Sequence, residues 1–307
     1  MSGDPDLATR LGPVGLPNPV MTASGTAGHG AELGAYFDLA ELGAVVVKSL
    51  SAEPWPGNPP PRLHPVSAGM INSVGLQGPG VESWLEDDLP GLLATGARVV
   101  ASIWGTTVDA YAKAASALAG APEQVVAVEV NVSCPNVEDR RRMFAHSAQA
   151  TAEAVGAAGG CGRPVWAKLS PNVTDLVPIA EAALGAGAQG LTLINTVMGL
   201  AIDVERRAPR LGGIGGGVSG PAIHPVAVRA VYECHAAFPD APIVGVGGIW
   251  SGADAVELLL AGASAVQVGT ATFADPRAPL RVLRDLEAWC RRHGVAGLDE
   301  LVGAAHR

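Results

Sequence analysis

The chain has 307 residues, of which 48% are hydrophobic, with 40 glycines and 24 prolines; this length suits one large barrel or two modest domains. Its formal net charge of −9 and pI near 5.2 argue against a nucleic-acid-binding surface. The four cysteines lack CxxC spacing, so we expect neither a metal site nor a disulfide framework. The sequence has no signal-like N-terminal segment and no run of 18 apolar residues, so we expect a cytoplasmic protein without a membrane span.

Apolar, β-branched runs alternate along the chain with alanine- and leucine-rich segments of helical period. The predicted strands are 20–23, 44–48, 98–103, 126–131, 164–169, 190–194, 242–246 and 264–268. The predicted helices are 32–42, 81–94, 107–119, 146–158, 174–186, 221–237, 252–261 and 277–291. Continuous apolar strands separated by helices are typical of a parallel sheet covered on both faces. Eight such units predict an α/β fold, a (β/α)8 TIM barrel in one domain over 1–307, with an open doubly wound sheet as the alternative.

Two long segments rich in glycine and proline, 50–80 and 196–220, are predicted strand-to-helix loops over the C-terminal face of the barrel. The stretch GGIGGGVSGP at 212–221 contains a formal G-x-G-x-x-G. No predicted strand precedes it and Pro221 opens the next helix, so it is a poor dinucleotide-binding fingerprint. We interpret it as a mobile loop or one that approaches a phosphate.

Polar residues and glycines stand at the ends of the predicted strands, where the chemistry of such barrels gathers. These residues are Ser24, Lys48, Ser49, Ser102, Asn131, Lys168, Asn195, Thr196, Gly247, Gly248, Gly269 and Thr270. Two lysines that converge with amides on one rim predict a site for an anionic ligand. The glycine turns after the last two strands predict a phosphate cradle.

Cys134 lies in VEVNVSCPNVEDRRRMF, residues 128–144, where a buried strand runs into a charged loop. A free cysteine is commonly an inert core residue, an interpretation that suits Cys161, Cys234 and Cys290. A thiol at a strand end can instead exchange a proton where its thiolate is favoured. The residues alone leave both interpretations of Cys134 open.

Seven motifs together resemble the class 1 dihydroorotate dehydrogenases. They are VNVSCPN at 130–136, KSLSAEPWPGNPPPR at 48–62, GMINSVGLQGPG at 69–80, LINTVMG at 193–199, GGVSGPAIHPVAVR at 216–229, GVGGI at 245–249 and VGTATF at 268–273. The match runs in order from Val20 to about Phe273. NTVMG and SGPAIHPVAVR resemble the NAD-linked branch, class 1B.

The resemblance implies an FMN-dependent enzyme that oxidises dihydroorotate to orotate in de novo pyrimidine biosynthesis. Cys134, Lys48 and Lys168 would be catalytic, with Cys134 as the base that removes the C5 proton while hydride passes from C6 to the flavin. The implied FMN contacts are Ser24, Lys48, Ser49, Ser102, Asn131, Lys168, Ile194, Gly220, Gly247, Gly248, Gly269 and Thr270. The implied substrate contacts are Lys48, Asn72, Ser73, Val74, Gly75, Leu76, Asn131, Asn136, Asn195 and Thr196. Amides and a lysine suit a carboxylate beside an imide, and a lysine also suits the anionic edge of a reduced flavin.

The class 1B resemblance further implies a homodimer and a second subunit that carries FAD and an iron–sulfur cluster and passes electrons to NAD. We expect residues 138–144 to form a loop that opens for the substrate and closes over the base. Three positions depart from the family pattern: Ser102 and Gly78 replace asparagines, and His224 replaces a lysine.

Three alternative functions remain. The chain could be a dihydropyrimidine dehydrogenase-like flavoenzyme, which shares the barrel and the cysteine. It could be a flavin-free, phosphate-binding aldolase or isomerase that uses Lys168. It could also be a catalytically silent partner subunit.

Overall fold

A closed barrel of eight parallel strands forms the centre of the chain, of which the computed structural model describes residues 4–134 and 143–307. The strands are β1 (Val20–Thr22), β2 (Val45–Val46), β3 (Val99–Ile103), β4 (Val125–Asn131), β5 (Val165–Leu169), β6 (Gly190–Leu193), β7 (Ile243–Val246) and β8 (Ala265–Val268). Each strand pairs with its neighbour in chain order, and β8 pairs with β1. A parallel bridge between Met21 and Ala44 joins β1 to the start of β2 and closes the ring. The (β/α)8 barrel predicted from the sequence is therefore confirmed.

Helices cover the outside of the barrel. The α-helices are α1 (Val81–Ser83 and Leu89–Leu93, joined by a π-helical turn at Trp84–Asp88), α2 (Val108–Ala117), α3 (Ala148–Ala157), α4 (Val177–Gly185), α5 (His224–Ala237), α6 (Gly252–Leu260), α7 (Ala271–Ala274) and α8 (Ala278–His293). Short 3₁₀ helices lie at Glu32–Ala35, Leu39–Glu41, Phe144–His146, Ala158–Cys161, Pro221–Ile223, Leu298–Glu300 and Ala304–His306. The helix predicted over 32–42 is wrong: the segment forms two 3₁₀ turns, because Asp38 is extended and its carboxylate caps Ala40 N–H.

Side chains fill the barrel in layers, because alternate residues of each strand point inward. The lower layer is apolar and includes Met21, Val46, Val100, Trp166 and Val244. A two-stranded hairpin, Thr9–Leu11 with Val14–Leu16, packs its leucines into this cluster and closes the N-terminal end.

Two residues further along β3, β4, β5 and β8, the inward side chains are polar. This second layer contains Ser102, Glu129, Lys168 and Gln267, all buried. The interior of the barrel is therefore apolar in its lower layer. The polar layer above it forms a polar floor that faces the C-terminal ends of the strands.

An antiparallel sheet of four strands covers part of the C-terminal face. It contains Leu63–Val66, Gly69–Asn72, Val197–Gly199 and Gly216–Ser219. A smaller pair, Ile202–Asp203 with Ala208–Pro209, lies in the same long segment. Segments 50–80 and 196–220 are thus partly strands, and within the loop predicted over 212–221 residues Gly216–Ser219 form a strand. Pairing with Met70–Asn72, distant in sequence, supplies the hydrogen bonds that local sequence did not reveal.

Candidate active site

A deep cavity opens at the C-terminal ends of the barrel strands, beneath the four-stranded sheet. Most of the residues predicted from the strand ends and motifs line it: Ser24, Lys48, Ser49, Asn72, Val74, Gly75, Leu76, Asn131, Lys168, Ile194, Asn195, Thr196, Gly220, Gly247, Gly248, Gly269 and Thr270. Ser73, Ser102 and Cys134 do not line it. Asn136 lies outside the described residues, as do residues 138–142 of the expected loop.

One end of the cavity is formed by the turns after β7 and β8. Gly247 and Gly248 have φ of 142° and 71°, and a Cβ on Gly248 would lie 2.9 Å from the backbone nitrogen of His224. Only glycine fits this turn without strain. His224 Nδ1 lies 2.8 Å from the Gly247 carbonyl oxygen, so this histidine donates to the turn and fixes it.

The polar floor of the cavity is one connected hydrogen-bond network. Lys168 Nζ lies 3.2 Å from Glu129 Oε1, and both side chains are buried. Ser102 Oγ lies 2.9 Å from Ser49 Oγ, which in turn lies 3.1 Å from Ser24 Oγ. Ser102 thus reaches the cavity only through Ser49, because it is fully buried behind the wall.

The amide side chains of Asn72, Asn131 and Asn195 also line the cavity. Asn195 Nδ2 donates to Asn131 Oδ1 at 3.0 Å, and Asn131 Nδ2 donates to Ser49 Oγ at 3.3 Å. Asn72 reaches the same cavity from the covering sheet, where its Nδ2 donates to the Gly217 carbonyl. These bonds hold the amides in place and leave oxygen and N–H groups available to a ligand with both donors and acceptors.

Lys48 lines the same cavity and has no carboxylate within ion-pair distance among residues 4–134 and 143–307. Burial lowers the pKa of Lys48, the charge of Cys134 raises it, and Lys168 lowers it further. An anionic ligand would stabilise the buried ammonium, because an opposite charge favours the charged form.

Cys134 lies immediately behind the cavity wall. Its Sγ is 3.5 Å from the backbone carbonyl oxygen of Asn131, and the same oxygen accepts a hydrogen bond from the Tyr111 hydroxyl at 2.7 Å. Burial raises the pKa of Cys134 to about 12, while a hydrogen bond from Tyr111 and the charge of Lys48 act in the opposite direction. The neighbouring Ser133 lines the cavity, and its buried hydroxyl has no hydrogen-bond partner in the described part of the chain.

Sequence reasoning missed several residues of this site. Asn172 joins the cavity wall, and its amide donates to the Thr196 carbonyl and accepts from Met198 N–H, which fixes the segment after β6. Glu129 and Tyr111 lie one layer deeper. A glutamate inside an apolar strand is a usable signal, because a buried carboxylate nearly always has a partner; the contact of Tyr111 depends on tertiary packing alone.

No described helix is long and apolar enough to cross a bilayer. Within residues 4–134 and 143–307, no three metal-ligating side chains are grouped closely enough to hold an ion.

Comparison with known proteins gives a consistent result. The family model described as dihydroorotate dehydrogenase matches residues 6–289. A relative from Desulforudis audaxviator (strain MP104C), named dihydroorotate dehydrogenase B (NAD(+)), catalytic subunit, is 51% identical over 301 residues, which cover 98% of this chain and 97% of the relative. A relative with the same name from Geotalea daltonii is 45% identical, over 98% of this chain and 98% of the relative. Another with this name, from Alkaliphilus metalliredigens, is 46% identical, over 97% of this chain and 98% of the relative.

Proposed function

The chain belongs to the dihydroorotate dehydrogenase family, and from this premise we propose that it oxidises dihydroorotate to orotate in pyrimidine biosynthesis with FMN as its bound hydride acceptor. One observation carries the proposal. A single cavity joins a double-glycine turn, a buried lysine on its floor and a group of amides together with Lys48, which has no carboxylate partner among the described residues. These three kinds of group suit a phosphate, a flavin ring and a small carboxylate substrate, respectively.

The fit to FMN rests on the glycine turns and the floor. Gly247 and Gly248 line the cavity in a turn where a Cβ would meet Ala227 or His224, and the backbone N–H groups of such a turn can bind a phosphate. Lys168 lines the same cavity, where its ammonium would face the ring edge that gains negative charge on reduction. FMN supplies a ring that accepts hydride, and the chain supplies orientation and charge.

The substrate half of the site suits dihydroorotate. Lys48 would pair with the carboxylate, and Asn72, Asn131 and Asn195 would satisfy the donors and acceptors of the imide. The hydrogen bonds from Asn195 to Asn131 and from Asn72 to the Gly217 carbonyl keep these amides oriented before binding, which lowers the entropic cost of holding the substrate.

Cys134 is the proposed base that removes the C5 proton, and this step requires its thiolate to face the cavity. In the described geometry the sulfur lies behind Ser133 and contacts Asn131 O, so a rotation of its side chain must precede proton transfer. Lys48 and Tyr111 are the groups that stabilise the thiolate.

Two adjacent substitutions test this assignment. Cys134→Ala should bind FMN and slow its anaerobic reduction by dihydroorotate about a hundredfold or more, as loss of a general base does. Ser133→Ala removes the hydroxyl that already lines the cavity and serves as the matched variant. If Ser133→Ala abolishes reduction while Cys134→Ala reduces FMN at the normal rate, the assignment of the base is wrong.

The alternatives differ in measurable ways. A dihydropyrimidine dehydrogenase-like enzyme would be bleached by dihydrouracil rather than dihydroorotate. An aldolase or isomerase with Lys168 as its nucleophile would need a neutral amine, whereas Lys168 is held in a buried ion pair with Glu129. Failure of the protein to take up FMN would favour that alternative.

We also propose a cytoplasmic homodimer, with residues 1–307 as a single FMN-binding domain, that passes electrons to NAD through a second subunit carrying FAD and an iron–sulfur cluster. The shared name of the relatives, which specifies a catalytic subunit and NAD(+), supports the second subunit and the electron acceptor. Assays of the isolated chain with NAD and with fumarate, followed by co-purification with any partner, test this arrangement. Turnover with fumarate but not with NAD in the assembled protein would contradict it.

A further inference from the structure

Glu129 is the one fully buried carboxylate among residues 4–134 and 143–307. It lies in β4, two residues before Asn131, so its side chain points into the barrel directly below the cavity. Neither the motifs nor the expected ligand contacts give this residue a role.

Three donors converge on this carboxylate. Oε1 lies 3.2 Å from Lys168 Nζ and 3.3 Å from Ser102 Oγ, while Oε2 accepts from Gln267 Nε2 at 2.8 Å. Both members of the ion pair are nearly inaccessible to solvent, with 6% exposure for the Lys168 side chain and none for Glu129. A buried pair of this kind is costly to desolvate and is seldom favoured for stability alone.

The pair also determines the charge beneath the cavity. Lys168 lines the cavity and Glu129 does not, so a ligand meets the ammonium first and the carboxylate behind it. In a site shielded from water, the carboxylate offsets much of the attraction that the ammonium alone would exert on a developing negative charge.

We propose that Glu129 is a positioning and charge-balancing residue, which fixes the Lys168 ammonium under the flavin and limits how strongly the site stabilises the reduced, anionic ring. The inference rests on the proposed binding of FMN and deepens it. A site that stabilised the reduced ring too strongly would keep the flavin reduced. A site that stabilises it less lets the flavin pass its electrons to the next acceptor.

Glu129→Gln removes the charge with little change in shape. Gln267 Oε1 has no hydrogen-bond partner in the described part of the chain, so a flipped Gln267 amide can accept from the new side-chain NH₂. The new carbonyl oxygen can still accept from Lys168. The variant therefore tests the charge rather than the packing.

The measurement is the midpoint potential of bound FMN, determined against a reference dye, together with the dissociation constant for sulfite, which places negative charge on the ring. E129Q should favour two-electron reduction at least tenfold more than the wild type, a rise of about 30 mV. It should also bind sulfite at least tenfold more tightly. Gln267→Met, which removes one hydrogen bond but keeps the charge, is the matched control and should move neither quantity by more than about threefold.

A second pair of variants keeps the test valid if E129Q folds poorly. Lys168→Gln leaves the Glu129 charge unbalanced and should lower the potential, and Lys168→Gln combined with Glu129→Gln should raise it again. The charge-balancing role would be overturned if E129Q had the same midpoint potential as the wild type. It would also be overturned if Lys168→Gln had the same potential as Lys168→Gln combined with Glu129→Gln. Failure of the wild-type protein to bind FMN would instead count against the proposed function itself.

Discussion

Tyr111 gives the most direct way to perturb the proposed base without touching the cavity. Its hydroxyl is fully buried, donates to the Asn131 carbonyl at 2.7 Å and hydrogen-bonds to Cys134. When Cys134 is ionised, this hydroxyl can turn its proton from the carbonyl to the sulfur. Tyr111→Phe removes that donor and leaves the ring against Phe144 in place.

The magnitude follows from the lost hydrogen bond. A hydrogen bond to a charged group contributes about 1.5–3 kcal/mol, and one pKa unit corresponds to about 1.4 kcal/mol. The substitution should therefore raise the pKa of Cys134 further above its ordinary value, in the same direction as burial already does. The thiolate fraction at a fixed lower pH, and with it the rate of proton removal, should fall about 10- to 100-fold.

The assay is anaerobic stopped-flow reduction of bound FMN by dihydroorotate across a pH series. A base must be deprotonated to act, so the rate should rise with pH, and the Tyr111→Phe curve should be displaced to higher pH. Phe144→Leu, which alters the packing of the same ring but keeps the hydroxyl, should retain the wild-type pH profile. Superimposable profiles for the wild type and Tyr111→Phe would refute the reasoning.

Two further substitutions test other parts of the account. Gly248→Ala should weaken FMN binding at least about tenfold, because the φ of Gly248 is 71° and the new Cβ would press on His224. Gly120→Ala is the control, because a Cβ at Gly120 meets nothing within 4 Å. Equal FMN affinities of Gly248→Ala and the wild type, measured by fluorescence titration, would contradict the phosphate cradle. Burial, and to a lesser extent the neighbouring His306, lower the pKa of His235 in the folded protein. The neutral histidine therefore stabilises the fold at a pH above its unfolded-state pKa of about 6.5. This stabilisation is lost as the pH falls through the unfolded-state pKa and then through the lower folded-state pKa. The melting temperature should accordingly fall on acidification, and His235→Phe should reduce that fall; an unchanged pH dependence would show that other groups cause it.

The barrel strands could be predicted because their apolar runs are continuous and local. The strand predicted at 164–169 is Val165–Leu169 in the structure, and its inward alternation already places Lys168 above Trp166. The covering sheet could not be predicted in this way. Gly217 pairs with Asn72 from a segment far away in sequence, and the glycines that permit this close approach look locally like loop residues.

The residues of the site also differ in whether local sequence predicts them. Strand-end residues such as Lys48 and Asn195 follow from the barrel rule and from motif resemblance. Glu129 and Tyr111 act through contacts between different strands or between a helix and a strand end, which no local pattern encodes. The orientation of Cys134, with its sulfur behind the wall, is likewise a property of tertiary packing.

The central claim is that this chain binds FMN and takes hydride from dihydroorotate. The most direct measurement is an anaerobic titration of the FMN-loaded protein with dihydroorotate, followed by flavin absorbance and by orotate formed. The account predicts full bleaching with one orotate per FMN. A flavin spectrum that dihydroorotate leaves unchanged, or that dihydrouracil bleaches instead, would contradict it.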